Sequence, residues 1–271
     1  MISFFIESNP IIQALLATTF TWGVTALGAA LVFLVRTVDK RTVDIMLGFA
    51  AGVMVSASFW SLLLPAIEIS TKVGMGSMAW MPAVAGFVIG GVSIWGMDKV
   101  LPHLHPNLPP SLSEGPKTGL SRTSLMVFAI TMHNIPEGLA VGIAFGAAAL
   151  GLPESSIGAA IALAIGIGLQ NFPEGAVVSM PLRQEGMSAA KSFWYGQLSA
   201  AVEPLAGVLG AAFILWAQQL LPYLFGFAAG AMIFVVVEEV IPAYQGKNTD
   251  LATMGFLIGF VIMMALDIGI G

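Results

Sequence analysis

The stretch LPYLFGFAAGAMIFVVV, residues 221–237, carries no charged side chain, and runs of this kind recur along the whole chain. A bilayer core about 30 Å thick is crossed by a helix of about 20 apolar residues. Segments of that length fall at approximately 10–35, 43–68, 81–100, 122–147, 155–181, 189–216, 220–243 and 250–270. The breaks are polar, from RTVDKR after the first to AYQGKNTD before the last, with one longer proline-rich loop at about 101–121. With 57% of residues hydrophobic and only 9% charged, against about 25% charged in soluble domains, the apolar surface has no place except lipid. The expectation is an all-α integral membrane protein: one transmembrane domain over 1–271, with eight helices in a compact bundle.

Charge distribution orients it. If the segments alternate in direction, Arg36, Lys40, Arg41, Lys99, Lys117, Arg122, Arg183, Lys191 and Lys247 share one side, and only Lys72 lies on the other. The positive-inside rule makes the first side cytoplasmic and turns both termini outward. MISFFIESNPIIQALL lacks a positive n-region and a small-residue cleavage site, so it reads as the start of a retained span. The location expected is a cell membrane, crossed many times, and specifically the bacterial cytoplasmic (inner) membrane. The chain has no cysteine and no basic patch, which excludes disulfides, thiolate metal sites and nucleic-acid binding.

Two of the apolar segments are interrupted by near-copies of one motif, HNIPEGLAVG at 133–142 and QNFPEGAVVS at 170–179. His133 and Glu137 are four apart and share a helix face, with Asn134 starting the adjoining row. Gln170, Asn171 and Glu174 repeat the layout. Pro136 and Pro173 each remove a helical hydrogen bond, freeing the carbonyls of Met132 and Leu169, and Gly138 and Gly175 permit close helix approach. Facing each other, the copies would present one imidazole, two carboxylates and three amide oxygens to a common point. Glu203, in AAVEPLAG of the sixth segment, is a third carboxylate followed by proline.

Any one of these side chains could be an ordinary satisfied core residue. Intramembrane ionisable groups, however, cost about 2.5–3.5 kcal/mol each, and no lysine or arginine lies at that depth to neutralise them. The missing positive charge must come from protons or from a metal cation. One nitrogen among carboxylate and amide oxygens suits borderline divalent ions such as Zn²⁺, Fe²⁺ or Mn²⁺. An intramembrane metal-dependent hydrolase is the alternative, but no H-E-x-x-H or G-x-S-x-G is present.

HNIPEG in the fourth segment and QNFPEG in the fifth, within eight segments and with a histidine-bearing loop after the third, resemble the ZIP (Zrt/Irt-like) metal transporters. QNFPEGAVVSMPL is most similar to the GufA-like prokaryotic branch. The resemblance implies a transporter, not an enzyme, that moves Zn²⁺, and also Cd²⁺, Fe²⁺ or Mn²⁺, toward the cytoplasm by an elevator-like movement, as a homodimer. It places His133, Glu137, Gln170, Glu174 and Glu203 around one metal. Asn134, Glu137, Asn171 and Glu174 surround a second, with Met54 joining it and both motif glutamates bridging. Asn171 stands where some members carry aspartate, so this chain has one negative charge fewer there. Ser61 and Asp267 match the family's entrance, and Asp98, His103, His105, Glu238 and Glu239 its exit.

Overall fold

The computed structural model describes residues 2–102, 115–244 and 249–271, and all regular structure among them is helical. Eight helices are long and apolar enough to cross a bilayer: α1 (Pro10–Leu34), α2 (Lys40–Lys72), α3 (Gly76–Val100), α4 (Thr123–Ala148), α5 (Ile157–Gln184), α6 (Ala189–Trp216), α7 (Gln218–Tyr244) and α8 (Asp250–Ile270). Local chemistry sets their starts. The side chains of Asn9, Asp39, Ser121, Ser156 and Ser188 each accept a backbone N–H from the opening turn of the helix that follows, satisfying donors the helix cannot. The Thr42 N–H at 2.7 Å holds the Asp39 carboxyl below the usual carboxylate range. Before α1 a short helix, Ile2–Glu7, sets Phe5 edge-on against Phe145 of α4.

Several spans are not regular throughout. A π-helical turn occupies Ser58–Leu63 in α2 and another Val236–Val240 in α7. α6 is broken at 199–202, where two helices, Ala189–Leu198 and Glu203–Trp216, meet. Interruptions of this kind tend to accompany functional sites in membrane helices.

The helices pack tightest in four pairs: α2 with α8, α3 with α7, α4 with α6 and α1 with α5. Lipid supplies no hydrophobic drive between helices, so close backbone approach through small residues does. Gly48 and Gly52 lie on the α8 backbone at Ala252 and Phe256, and Gly86 and Gly90 on the α7 backbone at Tyr223 and Phe227. Gly142 meets Gly207 of α6 in the same way. The pairs assemble into two groups, α1–α4–α5–α6 and α2–α3–α7–α8, which meet chiefly where α5 faces α2 and α8 and where α4 faces α7. Val84, Val88, Val92 and Trp95 of α3, with Met254, Leu257 and Val261 of α8, are exposed as a lipid-facing surface.

Gly90 tests the packing. A Cβ there would overlap the Phe227 carbonyl, whereas one at Gly96 meets nothing within 4 Å. Gly90→Ala should lose about 1–3 kcal/mol to overpacking, and Gly96→Ala should gain about 0.5–1 kcal/mol of helix propensity. Thermal melts in detergent check this, and equal melting temperatures would contradict it.

Candidate metal centre

α4 and α5 run continuously through Pro136 and Pro173, so both motifs sit mid-helix. Gly138 lies against the Glu203 backbone and Gly175 against Thr25, which draws α6 onto α4 and α1 onto α5. The polar side chains are thereby shut away from solvent. Glu137, Gln170, Asn171 and Glu203 are fully buried, Asn134 and His133 nearly so, and Glu174 half-buried.

The two asparagines, matched in sequence, are used differently. Asn134 donates through Nδ2 to the carbonyls of Ile130 (3.0 Å) and Ser199 (3.1 Å), the latter at the break in α6. Its Oδ1 is left without a donor. Asn171 donates through Nδ2 to the Thr21 carbonyl (3.2 Å) and to Glu203 Oε1 (2.8 Å), and its Oδ1 accepts from Gln170 Nε2 (2.6 Å). Every polar atom of Asn171 is engaged. Glu203 is held at its other oxygen by the Thr21 hydroxyl. Gln170 Oε1 has no donor, and neither Glu137 oxygen meets strict hydrogen-bond geometry, although the Gln170 amide lies beside it. Asn134, Glu137 and Gln170 therefore contribute four buried acceptor oxygens that lack a donor in good geometry. Such groups are rare in native interiors and call for a cationic partner or an equivalent.

His133 Nε2 lies 3.1 Å from Glu239 Oε1, joining α4 to α7 across the two groups. In the π turn of α7 Glu239 is buried while its neighbour Glu238 is exposed. His133, Glu174 and Glu239 line one small cavity of about 50 Å³. Leu47, Val177 and Ala243 also line a second cavity, of about 420 Å³, that reaches Val38, Lys40 and Gln184 at one end of the bundle. There Lys40 pairs with Asp44, a buried carboxylate, at 2.9 Å. Asp98 is buried and adds its negative charge to the field at His133.

Toward the other end, Ser61 donates to Asp267 at 2.6 Å, joining α2 to α8, and Lys72 pairs with Glu154. Met54 is fully buried, two turns before Ser61 on α2. His103 and His105 lie outside the described residues. Among the described residues no three His, Asp or Glu side chains close a metal shell by themselves, so a shell here would need amide oxygens or a shift of helices.

Sequence reasoning missed three contributors. Thr21 was legible as the middle of Thr18, Thr21 and Thr25, a threonine stripe on one face of α1 that is entirely buried. The break in α6 had a signal in Glu203–Pro204, an acidic residue and a proline at a helix start. Asp44 had its i, i+4 partner Lys40.

A family model described as "ZIP Zinc transporter" matches residues 113–267. The chain is 40% identical to "Zinc transporter ZIP11" of Homo sapiens, over 97% of this chain and 98% of that protein. It is 36% identical to "Zinc transporter ZIPB" of Bordetella bronchiseptica, over 95% and 81%, and 34% identical to "Zinc transporter GufA" of Myxococcus xanthus, over 95% and 98%.

Proposed function

The chain belongs to the ZIP family of zinc transporters, and we propose that it carries divalent transition-metal ions, zinc foremost, across a membrane through the centre between α4, α5 and α6. The observation that carries this reading is the set of four orphan acceptor oxygens on Asn134, Glu137 and Gln170. No lysine or arginine occurs between Arg122 and Arg183, the stretch that carries them. A divalent cation satisfies the oxygens and neutralises the carboxylates at once. The relatives are named as transporters, which speaks against the hydrolase alternative.

Glu174 and His133 extend the centre toward the cavities that end at Lys40, and the bias of positive residues assigns that end to the cytoplasm. On this reading the termini face outward, Ser61 and Asp267 stand at the entrance, and His133, Glu239 and Asp98 pass the ion inward. The three carboxylates of the centre ride on α4, α5 and α6, while Met54, Ser61, Asp98, Glu239 and Asp267 belong to the other group. That division supports sliding of one group past the other, an elevator-like carrier, and glycine-lined contacts suit it. Asn171 is neutral and its oxygen is already engaged by Gln170, so the second ion position is the weaker of the two. Residence in a bacterial inner membrane, assembly as a homodimer and passage of Fe²⁺, Mn²⁺ or Cd²⁺ belong to the same proposal.

Uptake of radiolabelled zinc into proteoliposomes, with competing ions added in turn, tests it. Saturable zinc entry that manganese, iron or cadmium suppress is expected, while calcium and magnesium, which prefer all-oxygen shells, should compete poorly. Entry no faster than into protein-free vesicles would refute the reading.

A further inference from the structure

The sequence motifs name no residue of α1, yet Thr21 of α1 reaches Glu203 directly. The Thr21 hydroxyl meets Glu203 Oε2, and the Thr21 carbonyl accepts from Asn171 Nδ2 at 3.2 Å, the same amide that donates to Glu203 Oε1 at 2.8 Å. Thr21 thus touches both members of the pair through two different atoms while fully buried. Its one hydroxyl proton has two acceptors in reach, Glu203 and the Thr18 carbonyl at 3.0 Å. A carboxylate is the stronger acceptor, and back-bonding within the helix is the fallback. Thr18, three residues earlier on the same face, bonds only within α1, to the carbonyls of Ala14 and Leu15.

We propose that Thr21 is a positioning residue for the metal centre: its hydroxyl and carbonyl clamp Glu203 and Asn171 so that the carboxylate presents its remaining lone pairs to the ion. A carboxylate has about four acceptor positions. Thr21 and Asn171 take one on each oxygen, which fixes the plane of the group and leaves the others open. A ligand held this way meets the ion without first losing rotamer freedom, and its outer partners set affinity by orientation. This inference rests on the reading of the centre as a metal site.

The test uses the full-length protein in proteoliposomes, with zinc as the probe. Thr21→Val keeps the shape and removes the hydroxyl, and should raise the KM for zinc by about 10–100-fold, with kcat changing far less. Zinc titration of the detergent-solubilised variant should show affinity weakened by the same factor. Thr21→Ser, which retains the donor, should restore both, and Thr18→Val should match the unmodified protein. If Thr21→Val does not fold, Thr21→Ala removes the same donor without steric load and should show the same shift. A wild-type KM in the Val or Ala variant overturns the proposal, as does equal impairment of the Val and Ser variants, which would assign the effect to packing. An unmodified protein that neither binds nor moves zinc removes the metal-site reading itself. That result shows before any variant is made.

Discussion

Glu137→Ala should abolish zinc uptake while destabilising the protein less than Glu203→Ala does. The two Glu137 oxygens are fully buried without a donor in good geometry, so in the absence of metal they carry a desolvation cost set against only the neighbouring Gln170 amide. The larger loss falls on the ion. A charge left unneutralised at mid-membrane costs about 2.5–3.5 kcal/mol, which is about 100-fold in binding. Glu203→Ala provides the contrast. It strands a buried Asn171 N–H and leaves the Thr21 hydroxyl only the Thr18 carbonyl, and should lower stability by about 1–3 kcal/mol as well as impair uptake. Parallel measurements of radiolabelled uptake and thermal unfolding separate the two variants. Wild-type uptake by Glu137→Ala would remove the central ligand from the assignment.

Asn171→Asp should convert the centre from one that favours a single ion to one that takes two. The Asn171 Nδ2 that now donates to Glu203 Oε1 at 2.8 Å becomes an oxygen, so two carboxylates face each other at hydrogen-bond distance with nothing positive between them. Without metal the folded state should weaken. With zinc the same pair gains a strong partner, and since a ligand stabilises by RT ln(1 + [L]/Kd), the zinc-dependent rise in melting temperature should exceed that of the unmodified protein. Elemental analysis should find more zinc per chain. Unchanged stoichiometry together with unchanged metal-free stability would show that Asn171 does not hold the second position closed.

Much of the centre was legible because membrane physics is local. The hydrocarbon core sets how many apolar residues a crossing needs, and the cost of a charge in it marks Glu137, Glu174 and Glu203 without reference to any neighbour. The number of spans and the mid-helix depth of HNIPEG and QNFPEG follow from the chain read residue by residue.

The state of each oxygen does not follow, because its partners come from elsewhere. Asn134 and Asn171 occupy the same place in their motifs, but Ser199, 65 residues away in sequence, orients the first with its oxygen free, while Thr21, 150 residues away, helps hold the second fully engaged. Glu238 and Glu239 are adjacent and chemically alike, and only the packing of α7 against α4 decides which is exposed and which meets His133. The contact of Asn134 with the Ser199 carbonyl depends likewise on how closely Gly138 lets α6 approach α4. Hydrophobic length is a property of a segment, whereas hydrogen-bond satisfaction is a property of the assembled bundle, so the first was determined by the sequence alone and the second only by the tertiary structure.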